Sequence, residues 1–369
     1  MDISLCRVAA YINLKNAVHN YNAVKACLAP DAHLFPVIKA DGYGHGAVRL
    51  SRIYEQLGAP MFCVAGIDEA VDLRNNGCKL PILVLGPTHP DLTSEIISYD
   101  LCQTVHSHSY ADDLSKNIPA GKKMKIHIKL DTGMRRIGFT DGTHPEKILE
   151  RPEFCVCGVF THFAESDDMT SDFTKVQLER FSRMTRPFEG KDIVRHAANS
   201  AAVLCRPETH LDGVRPGIVL YGHYPSQQIK EEFEKKGQKL LPLMSFKSHL
   251  THVFDVKKGE SIGYSRKFFA QQDMTVATVC AGYADGVPRL LSNKGKVGIK
   301  GKMCNIVGNV CMDQFMIDVS GLDVKPYDEV VIFGEGGPSC EEVAQLCGTI
   351  SYELCCSVTK RVNRVYIGD

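Results

Sequence analysis

The chain has 369 residues, 44% hydrophobic and 23% charged, an ordinary composition for a folded protein and, at about 150 residues per domain, room for two domains. Forty-three Lys plus Arg balance forty-three Asp plus Glu, so neither a nucleic-acid backbone nor an anionic membrane is an expected partner, and a small, zwitterionic ligand fits better. No apolar run reaches the ~18 residues of a membrane span and no signal-peptide pattern opens the chain, which predicts a cytoplasmic protein.

The N-terminal run "SLCRVAAYIN" reads as a strand that pairs with the C-terminal part of the chain. "NLKNAVHNYNAVKACL" then places Leu14, Ala17, Val18, Tyr21, Val24 and Leu28 at three- and four-residue steps, predicting an amphipathic helix capped by Asn13. Eight short apolar runs follow: "LFPVIKA", "MFCVAG", "LPILVLG", "LCQTVHS", "MKIHIKL", "CVCGVFTHF", "DIVRHAA" and "GVRPGIVLYG". Most are followed by a helix-like segment, and no G-x-G-x-x-G follows the first, so the alternation predicts an α/β fold, a (β/α)₈ TIM barrel over residues 11–240, rather than an open dinucleotide-binding sheet. After the polar stretch "PSQQIKEEFEKKGQKLLP", short glycine-split β runs predict a mostly-β domain over 241–369 that takes in the N-terminal strand 1–10.

Fifteen cysteines, an odd number without C-x-x-C, predict reduced thiols, and His106 and His108 in "TVHSH" read as a polar loop with no metal-ligand partners. Active sites of such barrels lie where the strands finish. Lys39 ends the first strand; Lys129, Asp131, Thr132 and Arg136 end the fifth; His162 ends the sixth; His196, Asn199 and Ser200 end the seventh; Arg215 and Gly217 fall in the eighth. A reactive amine near strands seven and eight, where barrels commonly bind phosphate, matches what pyridoxal 5'-phosphate requires: a lysine for its aldehyde and an anchor for its phosphate.

"VIKADGYGHGA" closely resembles the cofactor-attachment signature of bacterial alanine racemases, and "KLDTGMRRIGF", "THFAESD", "HAANSA", "VRPGIVLYG", "GYS", "AGYADG", "VCMDQFMIDV" and "ISYEL" match that family in order. The resemblance implies an N-terminal barrel followed by a β domain, and racemisation of alanine by two bases, supplying D-alanine for peptidoglycan. It implies Lys39 as the cofactor lysine and first base, with Tyr43, Asn199, Ser200, Gly217, Ile218 and Tyr352 around the phosphate and Arg215 facing the pyridine nitrogen. Arg136 would hold the substrate carboxylate with the Met312 backbone N–H, steadied by a carbamylated Lys129. Tyr264 would be the second base, oriented and acidified by His162, a cofactor-site residue linked to Arg215 and His196, and would reach the site from the other subunit of a homodimer together with Tyr283, Met312 and Asp313.

Asn309 stands where relatives often carry arginine, which implies weaker charge steering at the substrate entrance. Retention of Tyr352 implies a small pocket that favours alanine over serine or a broad range of amino acids. Fold-related decarboxylases place an acid at the ring nitrogen, and non-catalytic cofactor carriers lack the β domain; "VRPGI" and Tyr264 argue against each in turn.

Overall fold

The computed structural model describes residues 6–368, and its contacts divide the chain into two compact units. The first two residues of the N-terminal run, Ser4 and Leu5, lie outside the described residues. Strand β1 (Val8–Asn13) belongs to the unit formed with Tyr43–Gly46 and Pro242 onward, and the other unit comprises Ala17–Gly42 and Ala47–Leu241.

The central unit carries eight parallel strands: β2 (His33–Leu34), β3 (Phe62–Val64), β4 (Ile82–Val84), β5 (Cys102–Val105), β6 (Met124–Lys129), β7 (Phe154–Phe160), β8 (Val194–His196) and β9 (Gly213–Val214). They hydrogen-bond in the order β2-β9-β8-β7-β6-β5-β4-β3, and a parallel bridge from Val37 to Cys63 returns the first segment to β3, closing the ring. Each of the eight apolar runs read from the sequence overlaps one of these strands.

Two strands are shorter than their apolar runs because proline interrupts them. Pro36 has no N–H to extend β2, and Pro216 ends β9 directly after Arg215, so Val214 is the last ladder residue. "THPEKILERPE", expected as a helix, is a 3₁₀ segment (Pro145–Glu150), and the polar stretch after residue 224 contains a helix, Gln227–Lys235, that composition hid. That helix buries only Ile229 and Phe233, four residues apart, and the Ser226 hydroxyl caps it by accepting the Ile229 N–H.

The expected strand end at Lys39 is instead the start of a left-handed turn. Ala40, Asp41, Gly42 and Tyr43 have φ of 51°, 52°, 60° and 52°. Left-handed geometry costs roughly 1–2 kcal/mol for each residue with a Cβ, so this turn stores strain that surrounding bonds must hold. The Asp41 carboxylate accepts the Ala47 N–H at 2.9 Å, and Gly42 N–H donates to Ile38 O at 2.9 Å. Gly46, at φ 97°, abuts the Tyr366 hydroxyl, where a Cβ would collide.

In the other unit, β10 (Met244–Val256), β11 (Ser261–Ile262), β12 (Phe268–Phe269), β13 (Met274–Val279), β14 (Lys296–Ile299), β15 (Lys302–Val307), β16 (Phe315–Asp318), β17 (Glu329–Phe333) and β18 (Asn363–Ile367) follow in chain order. The main sheet runs β13-β16-β15-β14-β17-β10-β1-β18, and β13 also pairs with the far end of the long β10. Strand β1 lies antiparallel to β10 and parallel to β18. Val256, Ile262, Ala270, Met274, Val276 and Val307 form a core cluster of this unit.

Candidate active site

In the barrel unit, Lys39 is half-buried at the start of the strained turn. The Glu69 carboxylate anchors that turn by accepting the Ala40 N–H at 2.6 Å and the Ala65 N–H at 2.7 Å, joining the loops that follow the first segment and β3. Glu69 was not singled out in the sequence, since its partners are backbone groups remote in order.

Arg215 is 4% exposed, and its donors go only to neutral acceptors: His196 Nδ1 at 2.6 Å, Thr161 O at 2.5 Å and Ala197 O at 3.1 Å. Burial lowers it to about 10, which leaves it charged at neutral pH. A guanidinium cannot accept a hydrogen bond, so His196 Nδ1 is bare and its proton sits on Nε2. That proton in turn points to His127 Nδ1, 2.8 Å away. Both rings are therefore neutral, and burial beside Arg215 holds both well below the usual histidine range, His127 at about 3.

His127 is absent from the sequence-derived set although "MKIHIK" carries the signal: with Lys129 it takes the polar positions of an otherwise apolar alternation. Gly158 makes room for its ring, since a Cβ there would strike it. The structure corrects the expectation for His162. Arg215 reaches His196, while the His162 ring makes no hydrogen bond among the described residues. Burial, followed by the basic groups of Lys129, Arg215, Arg136 and Lys39, holds His162 far below its usual range, so these four side chains share its surroundings.

Lys129 Nζ is buried without a hydrogen-bond partner among the described residues, 4.6 Å from the centre of the Phe160 ring, which also lies 5.0 Å from the Arg215 guanidinium. Desolvation, with Arg215 and Arg136 adding to it and Asp131 opposing, pulls the Lys129 amine far down toward its neutral form. Arg136 is exposed and forms no ion pair among the described residues. Asp131, the nearby acid, spends one oxygen on the Gly133 and Arg135 N–H groups.

The seventh and eighth loops meet through one bond: Gly217 N–H donates to Ser200 Oγ at 2.8 Å, leaving the hydroxyl proton available to a ligand. Asn199 caps the helix Ser200–Cys205 by accepting the Ala202 N–H, and also accepts from Ser166 Oγ. Ile218 begins the buried 3₁₀ turn that follows Gly217.

The other unit gathers a second set. Tyr264 is 72% exposed, Met312 53% and Tyr283 43%, and with Arg289, Asn309 and Asp313 they line a cavity of about 590 Å³. Asn309 Nδ2 donates to the Tyr264 carbonyl at 2.9 Å, so this residue fixes the tyrosine loop. Arg289 supplies a positive charge in the same cavity. Buried Asp285, also unpredicted, accepts from Arg7, Arg361 and the Gly282 N–H, and so holds the turn in which Tyr283 donates its N–H to Cys311 O and Ala284 to Met312 O. Arg361 also pairs with Asp313 at 2.7 Å. Tyr43 and Tyr352 stand together here, ring centres 6.2 Å apart.

The profile for the alanine racemase N-terminal domain matches residues 12–225, and that for the alanine racemase C-terminal domain matches residues 243–366. The chain belongs to the alanine racemase family. An alanine racemase from Desulforamulus reducens is 43% identical over 97% of this chain and 98% of its own length. The solved alanine racemase of Clostridium difficile 630 is 38% identical, with a TM-score of 0.92 over 98% of this chain and 96% of that one. The Bacillus anthracis alanine racemase solved with bound L-Ala-P is 33% identical, with a TM-score of 0.92, covering 98% and 96%. Across this alanine racemase fold the two units correspond in order to the two family domains.

Proposed function

We propose that the protein interconverts L- and D-alanine with pyridoxal 5'-phosphate, using Lys39 and Tyr264 as the two proton-transfer groups. The observation that carries this is the charge pattern in the barrel unit. Arg215, Lys129 and Arg136 lie around His162, and none of the three forms an ion pair among the described residues. Arg215 is a buried cation, costly unless an anion joins it, and Arg136 an exposed one left unpaired, so this pattern suits a phosphate and a carboxylate arriving together.

The residues present fit the cofactor. Lys39 offers an amine at the strained turn, the Ser200 hydroxyl and the Gly217–Ile218 turn offer donors for a phosphate, and the buried Arg215 offers a hydrogen bond that carries no transferable proton. When bound, pyridoxal phosphate supplies an electron-withdrawing ring that acidifies the substrate Cα–H. Arg136, with the Met312 backbone N–H, holds the substrate carboxylate and so fixes which bond faces which base. Inversion requires removing the proton on one face and returning one on the other, the division of labour given to Lys39 and Tyr264.

Tyr264 is exposed on its own chain, which suits a residue that serves a second copy, and a homodimer with shared sites follows from this reading. Lys129 is the carbamylation site in the same scheme: a neutral, orphaned amine beside two guanidinium groups reacts with CO₂, and the new carboxylate pairs with Arg136. Intact mass measured with and without bicarbonate is expected to differ by one CO₂ on Lys129, with KM for alanine rising when the adduct is absent; an unmodified Lys129 at saturating bicarbonate rejects this. The product, D-alanine, would enter peptidoglycan synthesis in the cytoplasm.

Incubation with L-alanine, L-serine and L-lysine separately, followed by chiral analysis, tests the assignment. D-alanine is expected to form fastest and serine to turn over slowly; decarboxylated amines would overturn it. In a Tyr264→Phe variant kcat is expected to fall roughly 10²–10⁴-fold in both directions, since net racemisation needs both groups. Solvent deuterium exchange into one enantiomer should survive, and unchanged interconversion would remove Tyr264 from the mechanism.

A further inference from the structure

The strand that ends at Lys129 begins, at the other end of the barrel, between two strands that carry three cysteines. Cys102 opens β5, Lys125 lies opposite it on β6, and Cys155 opposite Lys125 on β7. Beyond that row the parallel ladder slips by one residue: Ile126 pairs with Val156 and His127 with Gly158, so Cys157 is skipped. Bulges are rare between parallel strands, and this one turns Cys157 back on its neighbours. Its Sγ lies 3.9 Å from Cys155 Sγ and 3.5 Å from the Cys155 carbonyl.

The three thiols differ in ways that suit a division of roles. Cys102 is buried and its thiol is pushed far up by desolvation, so it remains S–H beside Cys157. The Cys102 and Cys155 thiols and the nearby Lys125 ammonium favour the Cys157 thiolate and lower its pKa. Cys155 is exposed and stays protonated more readily than Cys157. A stabilised thiolate, half-open to solvent with a second thiol at its side, is the arrangement found in peroxide-sensitive cysteines.

We propose that Cys157 and Cys155 form an oxidation site for hydroperoxides, with Cys157 the attacking thiol, Cys155 the resolving thiol and Cys102 a positioning residue. In the first step the Cys157 sulfur bonds to the distal peroxide oxygen as the O–O bond breaks, giving a sulfenic acid and, after protonation, water. In the second, Cys155 sulfur attacks Cys157 sulfur, the S–O bond breaks, and the departing hydroxide takes the Cys155 proton as a second water. Two thiols are oxidised by two electrons and one peroxide is reduced. The sulfurs need to close from 3.9 Å to the ~2.05 Å of a disulfide, within reach of a side-chain rotation on a bulged strand.

The test treats the holoenzyme with hydrogen peroxide at pH 7, with and without a 1,3-dione that captures sulfenic acids, and maps all fifteen cysteines by peptide mass spectrometry. The Cys155–Cys157 disulfide is expected first, ahead of every other cysteine. Cys155→Ser should shift the product to a dione adduct on Cys157. Cys157→Ser should slow oxidation of Cys155 by about tenfold, the advantage of a thiolate over a largely protonated thiol. Cys102→Ala should move the pH profile of Cys157 oxidation upward while circular dichroism stays unchanged, a shift that loss of packing alone would not produce. Earlier oxidation at another cysteine, or Cys155 oxidising at full rate without Cys157, would overturn the proposal.

Discussion

Replacing Lys39 with alanine is expected to lower kcat for alanine interconversion at least roughly 10⁴-fold, the upper range for loss of a positioned acid–base group, because in the proposed scheme the same amine would also tether the cofactor. Borohydride treatment should then no longer attach pyridoxal phosphate to the chain. The turn that carries Lys39 places Ala40, Asp41 and Tyr43 in left-handed backbone, held by Glu69 and by the Asp41 bond to Ala47. Removing the Lys39 side chain alters none of those bonds, so the variant should fold and melt as the parent does. Chiral chromatography checks the first part and thermal unfolding the second. Activity within tenfold of the parent would assign the chemistry to another amine, with Lys129 the next candidate on position alone.

Arg215→Glu is expected to cut racemisation roughly 10²–10³-fold and to raise the proportion of pyruvate among the products. In the proposed scheme Arg215 would offer the pyridine nitrogen a hydrogen bond while keeping its proton, so substrate charge would stay close to Cα and be reprotonated there. A glutamic acid can deliver that proton, which spreads the charge and opens the route to transamination. It also reverses the chain behind it. His196 Nδ1 now faces a group that accepts, the proton moves to that nitrogen, and the His127 bond loses its donor. Arg215→Lys retains a cation but not the two-pronged hold on His196 and Thr161, and should lose rate without gaining pyruvate. An unchanged ratio of pyruvate to D-alanine in the glutamate variant would refute the electronic argument.

The barrel was legible because its strands are apolar on both faces and its helices on one, two patterns that survive without any long-range information. The 3₁₀ segment Pro145–Glu150 and the helix Gln227–Lys235 escaped for local reasons, a leading proline in one and only two apolar residues in the other. Lys39, Lys129, Arg136, His162 and Arg215 could be gathered from their shared position after apolar runs. Glu69 and Asp285 could not, since each acts through partners far away in sequence: two loop amides, and Arg7 with Arg361. Pattern finds groups that end strands. It does not find the groups that set their tautomers or hold their loops.

Strand β1 lies between β10 and β18, with Ala9 opposite Lys247 on one side and Asn363 on the other. A growing chain therefore carries this segment with both edges bare until residues 244–248 are made, and one edge stays bare until residues 363–367 have left the ribosome. The barrel strands depend on no such late arrival. Maturation is accordingly ordered in time, with the half that bears the lysine able to set first and the half that bears the exposed tyrosine obliged to wait for β18.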